Sequence, residues 1–201
     1  MKGSSMRRAF FILIFLVSQV NGMAFLRITR IKELVSMVHA FKQQGYSRLW
    51  WVTDIDGMLV SVNKKFSLVE GEATKDAFKE LSATSSHIAG LTKFNSRNAL
   101  QLAAELRNKG IVFCENAHQE DALILPGSNV DVLSQGIIYA GNPKGSSLVH
   151  YLKHIKAETK EIPEIIIFSD DCVDNVHNVL WEMRVCCPQV EVFGVFYEPA
   201  Q

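Results

Sequence analysis

Leu49-Trp50-Trp51-Val52-Thr53-Asp54-Ile55-Asp56-Gly57 holds both a strand and the chemistry at its end. Leu49 to Val52 has no polar face and is rich in aromatic and β-branched side chains, so it reads as a strand buried on both sides. Such a strand belongs in a parallel sheet covered by helices. Two carboxylates, Asp54 and Asp56, follow at its carboxyl end, which is the edge where open α/β sheets bind ligands. A short Asp-Ile-Asp-Gly run by itself is ordinary turn chemistry. Its place after a buried strand raises it above that.

The rest of the chain repeats the alternation. Ile28, Ile31, Leu34, Val35, Val38 and Phe41 recur at helical spacing from Arg27 to Gly45. Ala73 to Leu81 reads as a helix, His87 to Thr92 as a second strand, and Ser96 to Lys109 as a helix stopped by Gly110. Ile111 to Cys114 is expected to be a third strand, and Ile137 to Tyr139 a short extra one. Glu115 to Gln135, with Pro126 and Gly127, is irregular. A helix over Ser146 to Glu158, a strand over Glu164 to Ser169, a helix over Val173 to Arg184 and a strand over Val190 to Tyr197 complete the pattern. The expected fold is α/β, a three-layer sandwich around a central, mainly parallel sheet.

Composition agrees with one such domain. The chain has 201 residues, 48% hydrophobic and 21% charged, which excludes wholesale disorder. Its 21 basic and 21 acidic side chains cancel, so nothing in the charge favours nucleic-acid binding. Residues 1–22 carry a basic start, an apolar run from Ala9 to Val17, and small residues at Val20 and Gly22. That is the pattern of an export signal cleaved after Gly22, leaving 23–201 as the working domain in the periplasm or outside the cell. An uncleaved anchor is the alternative, but Ala9 to Val20 falls short of the roughly 20 apolar residues that span a bilayer.

The strand ends collect a particular set of side chains. Asp54 and Asp56 end the first strand and Thr92 ends the second. Lys144 opens the helix before the strand that ends in Asp170-Asp171, and Asp174 lies one turn further on. Carboxylates gathered this closely repel unless a cation joins them, and an all-oxygen set suits Mg²⁺. Asp174 is equally explained as an acidic residue favouring the first turn of its helix. A two-component receiver domain also uses acidic residues, a Thr and a Lys, but its acidic pair precedes the others in the chain. Here the pair follows the lysine.

This order, in WVTDIDG, LTKFNSR, PKGSSLVHYL and IIIFSDDCVDNV, resembles the haloacid dehalogenase superfamily, and with the N-terminal signal it resembles an exported bacterial branch of it. The resemblance covers about Leu49 to Tyr197. It implies a Rossmann-like hydrolase domain and an Mg²⁺-dependent phosphohydrolase working on a phosphorylated substrate. Asp54 would be the nucleophile, Asp56 the acid and base, and Thr92 and Lys144 the groups that bind the phosphoryl oxygens. Asp170, with Asp171 or Asp174, would hold Mg²⁺ together with Asp54 and the backbone carbonyl of Asp56. One departure is Met58, where the superfamily usually has Thr or Val. It motivates the alternative of a binding or effector module that keeps the fold without turnover.

The remaining candidates are weaker. His150 and His154 share a helix face at the spacing of a transition-metal pair but lack an obvious third ligand, so a solvated face is the expectation. His118, Glu120 and Asp121 lie in the irregular segment, and Arg97 follows Thr92 closely. The intervals from Asp54 to Thr92 and from Thr92 to Lys144 leave little or no room for a cap domain, so the site should be open, shaped by 115–135 and 63–71. In the superfamily's sheet order, Cys114 and Cys172 would be three strand spacings apart, on the order of 14 Å, too far for a disulfide. Substrate identity and oligomeric state are not legible.

Overall fold

The structure is a computed structural model that describes residues 24–113 and 122–199. The export signal over 1–22, Cys114, His118, Glu120 and Asp121 lie outside the described residues. Strand β1 (Ala24–Ile28) leads into helix α1 (Ile31–Gln43), strand β2 (Leu49–Thr53) and a small hairpin, β3 (Val60–Ser61) with β4 (Ser67–Leu68). Helix α2 (Glu72–Thr84), β5 (His87–Thr92) and α3 (Ala99–Asn108) follow. After them come β6 (Leu123–Ile124), β7 (Val132–Ser134), β8 (Ile137–Tyr139) and α4 (Lys144–Thr159). The chain continues through β9 (Ile165–Asp170), α5 (Val173–Cys186) and β10 (Glu191–Tyr197).

Eight strands form one sheet in the order β1-β10-β9-β2-β5-β8-β7-β6. From β1 to β8 every pairing is parallel, and β7 and β6 close one edge antiparallel. The α/β class and the mainly parallel sheet read from the sequence are therefore present, with helices on both faces. Alternation along β2 explains why the strand has no polar side. Leu49 and Trp51 pack with α1, α2 and α3 through Leu34, Phe78 and Leu102. Trp50 and Val52 face the other way, against α4 and α5 through Leu148 and Leu180. The Trp51 indole N–H would be costly to bury unpaired. It donates to Ser169 Oγ at 3.1 Å, and Ser169 donates to Thr53 at 2.9 Å.

Strands β1, β3, β4, β6 and β7 are not among those expected from the sequence, and two expected elements are placed differently. Ile28 belongs to the end of β1 rather than to α1, because the Glu33 carboxylate accepts the Thr29 and Arg30 N–H groups and starts the helix only after Arg30. Ile111 to Phe113 is not a strand. Ile111 is 1% exposed and packs into the core, so the apolar run that suggested pairing serves packing instead. The place beside β5 is taken by β8, with Leu91 opposite Ile138. The spacing argument for Cys114 falls with that strand. Cys172, Cys186 and Cys187 carry free thiols.

No cap domain interrupts the described residues. Between Asp54 and Thr92 lie the β3–β4 hairpin with a 3₁₀ turn over Val62–Lys64, α2 and β5. No helix among the described residues is long and apolar enough to cross a membrane.

Candidate functional site

Strands β2 and β9 are neighbours, yet the chain visits β5 and β8 on one side of β2 before returning to β9 on the other. That reversal is a topological switch point, where the chain leaves a crevice at the carboxyl ends of the strands. Asp54 follows β2 and Asp170 ends β9, and the Asp54 N–H continues the ladder to the Ser169 carbonyl at 2.8 Å. The register therefore places both carboxylates side by side. Asp54 is 6% exposed and Asp170 is fully buried.

Lys144 answers them from the first turn of α4. Its Nζ lies 2.7 Å from Asp54 Oδ1 and 2.7 Å from Asp170 Oδ2, and the residue is only 2% exposed. The other oxygen of Asp170 accepts from the Cys172 N–H and from Asn175 Nδ2. Asp171 completes the acidic group: one oxygen from each of Asp54, Asp170 and Asp171 falls within 4.8 Å of the others. Three hard carboxylate ligands this close, with a single ammonium among them, fit a small divalent cation such as Mg²⁺. Asp54, Asp170 and Asp171 are the side chains that would hold it.

The electrostatics record the crowding. Burial pushes the Asp54 carboxyl up to about 7, with Asp170 adding to the rise and Lys144 opposing it. Asp171 is also raised, first by burial and then by Asp170 and Asp56. Burial works against the Lys144 ammonium, but Asp54 and Asp170 outweigh it and hold the lysine above its usual range. The site is a strongly coupled set of charges that a cation would relieve.

Gly57 makes the approach of Asp171 possible. Its φ is +87°, and a Cβ placed there would lie within van der Waals overlap of the Asp171 carboxylate, with Oδ1 2.9 Å away. Gly57→Ala should therefore cost about 1–2 kcal/mol from the backbone alone and displace Asp171. The expected result, read by calorimetric titration with Mg²⁺, is weaker metal binding in a folded protein.

The other candidate residues are placed as follows. Thr92 is buried at the end of β5, its Oγ1 accepting the Phe94 N–H at 3.1 Å. Asp56 is exposed and its Oδ1 accepts the Val62 N–H at 2.9 Å, which ties it to the β3–β4 hairpin. Met58 is 1% exposed within the core beneath the site, so its side chain fills space rather than facing the carboxylates. Asp174 is exposed in the first turn of α5 and is not one of the three clustered carboxylates. Arg97 is exposed in a short 3₁₀ turn.

One residue escaped the sequence reading. Asp131 is fully buried beside β7 and accepts from the backbone N–H groups of Gly141 and Asn142, from Asn142 Nδ2 and from Ser147 Oγ. His150 Nδ1 lies 2.7 Å from its second oxygen, so His150 is engaged with Asp131 rather than standing on a solvated face. Burial works to raise this carboxyl, but Asn142, His150 and Ser147 more than offset it and hold it well below the usual range. Nothing about Asp131 in isolation marks it. The signal that could have found it is a lone acidic residue preceding the strand pair that ends at Gly141-Asn142-Pro143.

No protein-family model matches this chain, and no curated protein does. Among solved structures, pantothenate synthetase from Thermus thermophilus matches with 11% identity and a TM-score of 0.32. The match covers 85% of this chain and 61% of that one, so the chain spans under two thirds of that protein's length.

Proposed function

We propose that this protein is an Mg²⁺-dependent phosphohydrolase of phosphate monoesters, related to the haloacid dehalogenase superfamily and working through an aspartyl-phosphate on Asp54. The observation that carries the reading is the Lys144 ammonium, buried at 2.7 Å from both Asp54 and Asp170 at the sheet's switch point. A structural ion pair has no need of two carboxylates and a third beside them, and desolvating so many charges costs stability. Functional sites are where such costs are retained.

In the first step an Asp54 oxygen attacks phosphorus and the ester oxygen leaves, taking its proton from Asp56. In the second, Asp56 accepts a proton from water, which attacks phosphorus and releases phosphate from Asp54. Lys144 favours the ionised form of Asp54 and would offset charge on the transferring group, and the Thr92 hydroxyl, at the end of the neighbouring strand β5, would donate to a phosphoryl oxygen. Bound Mg²⁺ would neutralise phosphoryl charge and fix its orientation. The N-terminal sequence supports action outside the cytoplasm, which N-terminal sequencing of the exported protein tests by finding a new start after Gly22.

The test is phosphate release by residues 23–201 from a broad panel of phosphorylated compounds, with Mg²⁺ and then with a chelator. Release that stops on chelation is expected. No release from any compound, with Mg²⁺ bound and the fold intact, would replace this reading with the binding or effector module.

A further inference from the structure

Lys144 can serve two carboxylates only if the turn before it is held still. That turn, Gly141-Asn142-Pro143, lies between β8 and α4; its Asn142 carbonyl accepts from Lys93 Nζ and its Pro143 carbonyl from the Ser147 N–H at 3.1 Å. Pro143 stands at the N-cap of α4 and has no side-chain oxygen to offer, and in the first turn the Gly145 N–H donates instead to Asn178 Oδ1 of α5 at 2.7 Å. The turn before the helix is held by the buried Asp131 carboxylate. Oδ1 accepts the Gly141 and Asn142 N–H groups at 3.0 Å each and the Ser147 hydroxyl at 2.8 Å, and Oδ2 takes Asn142 Nδ2 at 2.9 Å. Every one of those donors is within three residues of Lys144. His150, one turn further along α4, closes the second oxygen.

We infer that Asp131 is the positioning residue of the site: through the 141–147 segment it sets the height and direction of the Lys144 side chain between Asp54 and Asp170. Its bearing on turnover rests on the phosphohydrolase reading, but its geometric content does not. Charge-assisted hydrogen bonds are the stronger kind, and several converging on one buried carboxylate leave the turn a single arrangement. Asp131 is assigned no contact with substrate. Its effect reaches the chemistry only through the lysine.

Lysine acylation of the whole chain, mapped by peptide mass, reads the inference directly. In the parent, Lys144 should label far more slowly than the exposed Lys153 and Lys156 on the same helix. In Asp131→Ala, Lys144 should label about tenfold faster or more relative to those two, the size expected when hydrogen bonds to a charged acceptor are lost. Circular dichroism establishes that the variant is folded. If Asp131→Ala does not fold, Asp131→Asn and Ser147→Ala take over. The first keeps an acceptor for the turn but opposes the Asn142 and His150 donors, and the second removes one hydrogen bond, so both should accelerate Lys144 less than Asp131→Ala would. Folded variants in which Lys144 labels no faster overturn the inference. With a hydrolysable substrate, kcat per folded molecule should fall while KM stays near the parent value, whereas a merely structural role would lower the folded fraction and leave kcat per folded molecule alone. Faster labelling in a chain that hydrolyses nothing would sustain the positioning role and defeat the phosphohydrolase reading. Hydrolysis with unchanged labelling would do the reverse.

Discussion

Lys144→Met should destabilise the metal-free protein by about 3–5 kcal/mol at pH 8, as expected when one partner of a buried ion pair is removed. Methionine fills much of the space of the lysine stem, so the loss is mainly of charge. Asp54 and Asp170 would be left 6% and 0% exposed with no ammonium between them. Protonation relieves the strain. Asp54 is already drawn up to about 7 by burial, and without the lysine that opposes the rise it would take a proton more readily still. The loss should therefore be much smaller at pH 5 than at pH 8, and Mg²⁺ at pH 8 should restore part of it by binding the folded state. Denaturation midpoints at the two pH values, with and without Mg²⁺, provide the measurement. An equal loss at both would mean that packing of the stem, not its charge, is what matters. On the proposed phosphohydrolase reading, phosphate release by the same variant should fall by about 10²–10³, the range for removing one preorganised electrostatic contact.

Asp54→Asn should have the opposite signature. On the proposed phosphohydrolase reading, in which Asp54 is the nucleophile, phosphate release should drop by at least about 10³. Stability of the metal-free protein at pH 8 should nevertheless hold or rise. The reason lies in the sign of the shift. The Asp54 carboxyl goes from an ordinary 3.8 up to about 7 on folding, so between those values the folded state binds the extra proton. Stability from this group is present at low pH and is lost as pH rises from about 4 to 7, at up to about 1.4 kcal/mol per pH unit. Asparagine cannot ionise, so the variant's stability should be flatter across that window. Asp131 acts in a separate range: its carboxyl is held low, so its contribution is present above about 4 and lost on further acidification. Denaturant titrations from pH 3 to 8 separate the two. A parent whose stability is unchanged between pH 5 and pH 7 in the absence of metal would count against the assignment of Asp54 as the strained carboxyl. A site that works at the expense of the fold is a familiar trade-off.

Much of the architecture was legible before any coordinates, for identifiable reasons. Leu49 to Thr53, His87 to Thr92 and Ile165 to Asp170 are short apolar runs without a polar face, which only a sheet covered on both sides accommodates. Where each run ended, the sequence also showed which residues would stand at the sheet's carboxyl edge, because the side chain after a parallel strand has nowhere else to go. Asp54, Thr92 and Asp170 followed from that rule, whereas Lys144 was read at the start of the helix before the strand that ends in Asp170. Ile111 to Phe113 and Ile28 marked the limit of such reading, since burial looks the same whether a residue pairs in a sheet, ends a strand or fills a core.

What chain order alone determined is the set of residues at one edge. What only the tertiary structure decided is which of them touch. Asp54 and Asp170 are far apart in sequence, and nothing local states that β9 returns to the side of β2 away from β5. That return puts two carboxylates within reach of one ammonium, and the folded chain leaves Asp174 outside the acidic group and Met58 in the core. Asp131 belongs wholly to the second kind. The five hydrogen bonds to its carboxylate come from a turn and a helix beyond the next two strands, and a carboxylate reveals its task only when the donors around it are assembled. Strand periodicity is a property of neighbours along the chain, whereas the pairing of buried charges depends on sheet order, which long-range packing sets.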